Sequence, residues 1–586
     1  MSSRRRTTSF LPSSRSSRSS LTPFGLAILA ASALGCGATK DVSGGGSELT
    51  DDSGAGGDGG STFDIGTGDG LLDPDGGAAF QDIDLTPGNA TIYIDTATAP
   101  ATPAKQAFTG MLNKADGSKK DVTSELALVL DDPSLGTFAG NTFTSVGALP
   151  GGKLGVTTIV RGTAEGKQGS ANLTIVQLRK TGDKRDFYFV VPYLGPPSPD
   201  RDVLKFGTNI KQVDVAFSVD TTGSMTGSID NLKTALSSTV LPELEKAIPS
   251  VGFAIVDHKD SQDFDPWTAK VVQVVTTDIT KASAAVATMS ASGGGDEPEA
   301  QEDSMYHILT AEAVTSDPPI AKHTPAPGTF GGVDFRPGSL PIVVQITDAH
   351  WHDDKTWPWS GAGEMTMDRL ATAFKATHAK FVGVTDIHFS DATLFDQPND
   401  LSDRTSTNVP VGAFGGACGA GQCCTLQGGA GEAPSGPGGT CRLNFQVNDG
   451  VGMTTSLVKA IQAISVGSQF DVTAVPSNDP TNADSVDATK FIKALRAMDE
   501  GDPKNGCPTH AAKDTNGDGV KDTFTAVVVG TPVCFEILPK MNDTVHPKTG
   551  AQFFNAFIDV LGMPGSIKLD RRTVLFLVPP HDLGVK

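Results

Sequence analysis

The chain has 586 residues, with 46 Lys and Arg against 67 Asp and Glu, so its formal net charge is −21 at neutral pH. A surface this acidic repels phosphate groups, which argues against nucleic acid as a partner. The length leaves room for several domains, and 38% hydrophobic residues are enough for globular cores in at least part of the chain.

Residues 1–35 have the features of an export signal. Five arginines precede an apolar run, residues 24–34, that is too short to span a bilayer. The run ends at Ala33-Leu34-Gly35-Cys36, which resembles a lipoprotein signal with Cys36 as the acylated residue; an ordinary cleavage site is the alternative. Removal of residues 1–35 takes away five arginines and no acid, changing the net charge from −21 to −26. We expect an exported chain, attached to the cell envelope (outer membrane or cell surface) through lipid only.

Two segments of different character follow. Residues 36–80 are mostly Gly, Asp and Ser, which cannot bury a core, so they predict a flexible acidic tether. Residues 81–180 contain short alternating apolar runs separated by turn residues, which predicts an all-β sandwich. The order of PGNATIYI, DGSKKDVTSEL, DDPSLGTF and GSANLTIV resembles the bacterial Ig-like domains of surface proteins, which implies a spacer.

The segment from Val213 to Ser224 predicts a strand that leads into a helix. Its apolar run ends at Asp220, and after a short turn the helix begins at Ser224. Such turns lie at the carboxyl edge of a parallel sheet, where open α/β folds bind ligands. Asp220, Thr222 and Ser224 therefore place three oxygen-bearing side chains in one turn, as suits Mg²⁺. A capped helix start is the alternative interpretation.

This D-x-T-x-S pattern resembles the metal-ion-dependent adhesion site of the von Willebrand factor type A family. Two further segments, GGGDEPE at 293–299 and PIVVQITD at 341–348, resemble the second and third loops of that site, particularly in integrin beta I-like domains. The resemblance implies that Glu299 and Asp348 join Asp220, Thr222 and Ser224 around Mg²⁺ or Mn²⁺. It also implies that a partner protein supplies a carboxylate to the ion.

The same resemblance bears on two neighbouring cation sites. Asp257, Asp296 and Glu299 match a second site, although Gly294 stands where the family has an amide ligand. A third site needs acids at two positions that Gly227 and Ser228 occupy here, so we expect that site to be absent.

Strands alternate with helices over residues 212–498, which predicts a doubly wound parallel sheet. We expect strands at 251–257, 270–277 and 380–385, and helices near 280–289, 300–313, 366–377, 454–464 and 486–498. Residues 390–448, rich in Gly, Pro and Cys, interrupt this pattern and predict an insertion stapled by disulfides. Zinc is the competing interpretation, but Cys-x₄-Cys-Cys lacks the usual two-residue gap.

Besides Cys36, six cysteines remain, an even number that favours disulfides in an exported chain and leaves fifteen pairings open. They are Cys418, Cys423, Cys424, Cys441, Cys507 and Cys534.

Aromatic and histidine side chains surround the proposed metal loops. Four tryptophans follow Asp257 or Asp348 and are candidates for partner contact, with packing under the insertion as the alternative: Trp267, Trp351, Trp357 and Trp359. His350 and His352 form an H-x-H-x-D pattern similar to that of the metallo-β-lactamases, which would make the chain a zinc hydrolase. Lys355 stands where that family has another histidine, so we disfavour this interpretation.

Residues 499–586 are rich in β-type runs and form a predicted C-terminal β domain. Residues 186–193, DFYFVVPY, echo VLFLVPP at 574–580, so we expect strands within 186–211 to lead into this domain and to pair with it. A possible calcium loop, similar to the calcium repeats of thrombospondin-type proteins, comprises Asp514, Asn516, Asp518, Val520 and Asp522. A plain polar turn is the alternative.

The sequence therefore predicts a multidomain protein with a doubly wound α/β domain flanked by all-β domains. We expect metal-dependent adhesion without catalysis. The alternative is a scaffold of an envelope assembly that the metal only stabilises.

Overall fold

The computed structural model describes residues 82–182, 184–260, 265–295, 297–353, 365–387 and 391–580. The signal segment, the tether, Cys36, Asp296, Trp357 and Trp359 lie outside these ranges. All described residues belong to one compact unit. Within these ranges, no helix has the length and apolar character needed to cross a membrane.

Residues 83–178 contain only strands and short turns, because apolar side chains alternate with polar ones along each strand. The strands are β1 (Ile83–Thr86), β2 (Asn89–Asp95), β3 (Lys105–Ala107), β4 (Thr109–Asn113), β5 (Lys119–Asp121), β6 (Ala127–Leu130), β7 (Gly136–Ala139), β8 (Thr142–Ser145), β9 (Gly155–Ala164) and β10 (Lys167–Leu178). They form sheets of order β1-β4-β5, β2-β10-β9-β6 and β3-β8-β7 around one core that includes Phe108, Phe143 and Ile175.

The central α/β domain contains a six-stranded sheet, and two strands, β11 (Phe187–Val190) and β12 (Asp202–Phe206), precede it in the chain. The strands of the sheet are β13 (Gln212–Asp220), β14 (Ser250–His258), β15 (Ala269–Thr276), β16 (Leu340–Thr347), β17 (Lys380–Asp386) and β20 (Asn444–Val447). Their order is β15-β14-β13-β16-β17-β20, and all neighbours are parallel except β15, which runs antiparallel along one edge.

Helices cover both faces of this sheet. They are α1 (Thr226–Ala235), α2 (Leu241–Ala247), α3 (Ile279–Ala287), α4 (Gln301–Thr310), α5 (Met367–Thr377), α6 (Asp396–Arg404) and α7 (Met453–Gly467). A π-turn, Leu236–Val240, joins α1 to α2 just before Pro242, which has no N–H to donate. Apolar side chains of α1, α2, α3 and α7 pack on one face, and those of α4, α5 and α6 on the other. The sheet is therefore doubly wound.

The stretch 390–448 is only partly an insertion, which corrects the prediction. Its beginning supplies α6, and its end supplies strand β20 of the main sheet. Between them lies a hairpin of β18 (Cys423–Leu426) and β19 (Ala430–Glu432). The frequent glycines hide the periodicity of these elements from sequence analysis. The predicted disulfides are confirmed: Cys418–Cys424 and Cys423–Cys441 staple this segment, and Cys507–Cys534 lies further on.

The C-terminal β domain begins earlier than predicted. Its strands are β21 (Gln469–Asn478), β22 (Ile492–Ala497), β23 (Ala512–Lys513), β24 (Thr523–Val528), β25 (Val533–Pro539), β26 (Gln552–Met563) and β27 (Ile567–Val578). The helix expected at 486–498 is wrong: residues 488–491 form a 3₁₀ turn and the next six form β22, which pairs with β25. Cross-strand pairing outweighs the helical spacing of Phe491, Leu495 and Met498 in this segment.

Strands β11 and β12 belong to the C-terminal sheets although their partners are far away in sequence: Phe187 pairs with Val574, 387 residues on, and Phe206 with Val533, 327 residues on. β11 pairs in parallel with β27, placing Phe189 opposite Phe576, and β12 pairs antiparallel with β25. The sheets have the orders β11-β27-β26-β21-β24-β23 and β12-β25-β22. The central domain is therefore inserted between strands of one β domain.

The C-terminal β domain contacts the amino end of the central sheet. Lys211 N, just before β13, donates to Lys568 O of β27, and Lys568 N donates to Gly338 O, just before β16. The carboxyl ends of the same strands lie at the opposite edge of the sheet. The turns after β13, β14 and β16 therefore face away from the β domain. Together with the loop between α3 and α4, which is hydrogen-bonded to them, we call these turns the carboxyl edge.

Candidate metal centre

The turn after β13 is organised around the buried carboxylate of Asp220. Its Oδ1 accepts hydrogen bonds from Thr222 N (2.9 Å) and Thr222 Oγ1 (2.7 Å), and its Oδ2 accepts one from Thr347 Oγ1 (2.7 Å). Thr222 Oγ1 lies 3.2 Å from Ser224 Oγ. The strand end thus fixes three oxygen-bearing side chains of one turn in contact with one another.

The second and third predicted loops reach the same place. Ser224 Oγ donates to Asp348 Oδ1 at 2.9 Å, and the Glu299 carboxylate lies next to the side chain of Thr222. Glu299 N donates to His350 O, and His352 N donates to Glu299 O, so the loop of Glu299 is tied to the segment after β16. Asp220, Thr222, Ser224, Glu299 and Asp348 form one network.

The electrostatics of this network are unfavourable without a cation. Burial, followed by the charges of Asp220 and Asp260, raises the pKa of the Glu299 carboxyl to about 11. Burial, then the charge of Asp220, raise the pKa of Asp348 to about 8. Glu299 is 3% exposed, and its Oε2 has no hydrogen-bond partner among the described residues. A divalent cation would reduce the repulsion among these carboxylates and would give Glu299 Oε2 a partner.

The donor set suits a hard cation. Within the ranges described, no group of three or more His, Cys, Asp or Glu side chains is arranged to hold a metal ion by itself. At the carboxyl edge two of the five candidate donors are hydroxyls, of Thr222 and Ser224, and all five offer oxygen. Mg²⁺ and Mn²⁺ accept such sets and complete them with water.

The predicted second site has a different arrangement. Asp296 lies outside the described residues. The Asp257 carboxylate accepts hydrogen bonds from Thr221 Oγ1 and from Trp267 Nε1, the latter at 3.2 Å. Gly294, at φ +66°, packs so closely that a methyl group there would lie 2.9 Å from Glu299 Oε1. Gly294 thus permits a close approach of the backbone to Glu299.

Ser228, at a position of the third site, points inward. Its hydroxyl donates to Asp386 Oδ2 at 2.6 Å, and that carboxylate also accepts from the backbone N of Asp449 and Gly450. A Cβ on Gly227, at the other position, would lie 3.3 Å from Asp449 Oδ1. This interaction joins α1 to the start of α7.

The two histidines have separate partners. His350 Nδ1 lies 2.5 Å from Glu297 Oε1 and its Nε2 lies 2.9 Å from Thr393 Oγ1, so it ties the Glu299 loop to the start of α6. His352 Nε2 lies 3.0 Å from Asp260 Oδ1. Both imidazoles therefore link neighbouring segments at the carboxyl edge.

Trp351 is not a surface contact, which corrects one of the predictions. It is fully buried, and its ring packs edge-on against Phe381, with centroids 6.0 Å apart. Its backbone is held on both sides by the Gln397 amide. The Trp351 backbone pairs with that of Glu299, and the indole packs in the core on the face of the sheet that α4, α5 and α6 cover. Trp267 is partly exposed, with Lys270 Nζ 4.5 Å from its ring centre.

The possible calcium loop connects β23 to β24 and is exposed. Asp514 accepts hydrogen bonds from the backbone N of Asn516, Gly517 and Gly519, which lower its pKa. Asn516 and Asp518 accept from the N–H two residues on, and Asp522 accepts from Thr515. The side chains that were predicted to bind calcium thus fold the loop on itself.

Sequence reasoning missed three residues of the carboxyl edge. Thr347 donates to Asp220, Asp260 adds charge beside Glu299, and Lys259 contacts the first loop. Lys259 and Asp260 directly follow the carboxyl end of β14, just as Asp220 lies at the carboxyl end of β13. This equivalent position at a strand end is the sequence feature that could have identified them.

Comparison with known families identifies the domain that carries this edge. Residues 214–317 match the family model for the von Willebrand factor A domain. The match includes the loops of Asp220 and Glu299 and ends before Asp348. The chain therefore contains a von Willebrand factor A domain. No curated protein matches the chain.

Several solved structures show distant similarity. A von Willebrand factor type A protein from Catenulispora acidiphila is 11% identical, with 78% of this chain and 75% of that one covered and a TM-score of 0.24. The pilus adhesin SpaC from Lactobacillus rhamnosus GG, in its open conformation, is 11% identical, with 78% and 55% covered and a TM-score of 0.26. Proximal thread matrix protein 1 from the mussel byssus is 10% identical, with 47% and 51% covered and a TM-score of 0.24. The chain thus spans about half the length of the latter two, and TM-scores this low support no functional inference.

Proposed function

We propose that this chain is an exported adhesion protein that binds a carboxylate of a partner protein through a divalent cation at the carboxyl edge of its von Willebrand factor A domain. The network of Asp220, Thr222, Ser224, Glu299 and Asp348, with its buried and unmet Glu299 oxygen, is the observation that carries the proposal. Three disulfides are typical of exported proteins. We further propose that lipid on Cys36 attaches the chain to the cell envelope.

Each residue has a defined task in this proposal. Thr222, Ser224 and Glu299 would hold Mg²⁺ or Mn²⁺, with Asp220 and Asp348 holding it directly or through water. When bound, the ion supplies a coordination position for a partner's carboxylate oxygen. Thr347 fixes the rotamer of Asp220 by its hydrogen bond, and Gly294 lets the backbone lie against Thr222 and Glu299. The β region of residues 83–178 would serve as an Ig-like spacer, and Ca²⁺ at the exposed Asp514 loop remains a prediction.

The first test compares Ser224→Ala with the wild type. We expect Ser224→Ala to weaken Mg²⁺ binding at least about tenfold in calorimetry, equivalent to about 1.4 kcal/mol, because one oxygen ligand is lost. Capture of envelope proteins should require Mg²⁺ and should fail with Ser224→Ala. Ser238→Ala is the matched control, since this hydroxyl lies further along the same helical segment and bonds only within it.

Other outcomes separate the alternatives. Mg²⁺ that raises the melting temperature, with no captured partner, favours the scaffold. Zinc retained through purification, with hydrolysis abolished by His352→Ala, favours the hydrolase. Equal Mg²⁺ affinity in Ser224→Ala and wild type contradicts the proposed metal centre.

A further inference from the structure

Lys259 is a buried lysine beside the candidate metal centre. Only 1% of its surface is exposed. Its Nζ donates to Thr221 O at 2.6 Å and to Ser292 O, and lies 3.4 Å from Ser292 Oγ. Burial of an ammonium is costly unless its donors are satisfied. Three N–H donors here meet three oxygens, so this side chain is held in one position.

The lysine links the segments that carry the candidate ligands. Thr221 lies between Asp220 and Thr222, and Ser292 leads into the glycine loop before Glu299. Thr221 O also accepts from Ser292 N at 2.9 Å, and Lys259 O accepts from Ala300 N at 3.1 Å. The ammonium therefore crosslinks the first loop to the second through their backbone carbonyls.

The surroundings of Lys259 match the place where the sequence predicted a second cation. Asp257 and Asp260 flank the lysine in sequence, and the charge of Asp260 reaches Glu299. Thr221 contacts the Lys259 ammonium through its carbonyl and the Asp257 carboxylate through its hydroxyl. On the other side, Gly294 N donates to Asp265 Oδ2 at 2.9 Å. Thr221 and Gly294 thus already donate to carboxylates of Asp257 and Asp265 on the two sides of the lysine.

We propose, building on the metal centre proposed above, that Lys259 is a positioning residue whose ammonium replaces a second bound cation. It holds the Thr222 and Glu299 loops at the spacing that one divalent ion requires. It also places a positive charge between the first and second loops. The carboxyl edge then binds one divalent ion per chain.

The test uses the full chain and the variants Lys259→Met, Lys259→Gln and Lys270→Met. We expect Lys259→Met to weaken Mg²⁺ binding at least tenfold in calorimetry, and Lys259→Gln at least threefold, because it keeps N–H donors but no charge. Lys270→Met is the matched control: it removes one positive charge near the same Trp267 ring but none of the carbonyl contacts, so its affinity should stay within twofold. Mn²⁺ titration followed by electron paramagnetic resonance should show one ion that Ser224→Ala removes.

The readouts distinguish positioning from stability. Unfolding midpoints in EDTA are measured for the same variants. The proposal requires Lys259→Met and Lys259→Gln to bind Mg²⁺ more weakly than the wild type under conditions in which each variant is fully folded. Two ions removed by Ser224→Ala, or equal affinity in Lys259→Met and Lys270→Met, overturn the proposal. If Lys259→Met does not fold, Lys259→Gln decides, and wild-type affinity there overturns it. Absence of any Ser224-dependent ion in the wild type instead refutes the metal centre itself.

Discussion

The carboxylates of Asp220, Glu299 and Asp348 share one buried edge, where burial and the charge of Asp220 raise the pKa of Glu299 and of Asp348. A proton or a cation can relieve this repulsion. Thr222 and Ser224 cannot, because a hydroxyl gives one hydrogen and the acceptors outnumber the donors. Glu299 Oε2 is a buried acceptor with no hydrogen-bond donor among the described residues, so the shortage of donors falls on this atom. The residues that favour cation binding therefore destabilise the metal-free domain.

Glu299→Gln should stabilise the metal-free protein and abolish its response to Mg²⁺. The folded-state pKa of about 11 lies above the unfolded value of about 4.3, so the contribution of Glu299 to stability is complete below the unfolded value and is lost as the pH rises through this interval. At pH 7, about 2.7 pH units above the unfolded value, the variant should gain about 3–4 kcal/mol in unfolding free energy, measured by urea denaturation in EDTA.

The pH profile provides the control. In EDTA, wild-type stability should fall between pH 5 and pH 9, by up to about 1.4 kcal/mol per pH unit from this one group, and the fall should shrink in Glu299→Gln. Glu243→Gln makes the same change on a half-exposed carboxylate of α2 that pairs with Lys246, and should leave the profile unchanged. Identical profiles for the wild type and Glu299→Gln would contradict the burial argument.

The hairpin of β18 and β19 depends on crosslinks because its segment buries few side chains of its own. Both Cys423 and Cys424 lie on β18, and their partners, Cys441 and Cys418, lie on either side of the hairpin. The turn at Gly428 lies against Gly452 at the start of α7, and Gly429 O accepts from Lys459 Nζ of that helix. The stapled hairpin thus braces α7.

Removal of either disulfide should destabilise the domain, and removal of the bridge that closes the longer loop should destabilise it more. The Cys423–Cys441 bridge spans 18 residues and the Cys418–Cys424 bridge spans 6, so chain-entropy reasoning gives about 3 and about 2 kcal/mol, respectively. Chemical denaturation of the two paired Cys→Ser variants measures the difference. A larger loss for the shorter bridge would show that native contacts, not loop closure, dominate.

One apolar core runs through the central domain and the C-terminal β domain. It includes Phe189 and Phe576, whose rings stack 5.8 Å apart, and it continues to Val213 and Phe217 of β13. The core of the N-terminal β region, around Phe143, is a separate cluster. The inserted central domain and its host β domain are therefore expected to unfold together.

Phe189→Ala should lower the unfolding temperature of both domains in one transition. Loss of a fully buried phenyl ring costs about 3–5 kcal/mol. Differential scanning calorimetry measures the transition, with Mg²⁺ binding by the heated and cooled protein as a second readout. Phe143→Ala is the matched control and should affect only the N-terminal β region. A separate, unshifted transition for the central domain would contradict the shared core.

Local pattern was sufficient for the features that depend on neighbours in sequence. The apolar run of Val213, Val215, Phe217 and Val219 predicts a buried strand that ends at Asp220. Because parallel strands have their carboxyl ends at the same edge of a sheet, the turns of Ser224 and Asp348 are also expected at one edge.

Only the tertiary structure decided the features that depend on residues far apart in sequence. Ile492–Ala497 is a strand because β25 pairs with it, and β11 pairs with β27 although paired residues are 387 positions apart in sequence. Trp351 is buried because it packs against Phe381, and Lys259 contacts two loops because the fold brings the turn after β13 next to the loop after α3. Periodicity records which face of an element is apolar, whereas the choice of neighbour depends on packing and pairing energies summed over the whole chain.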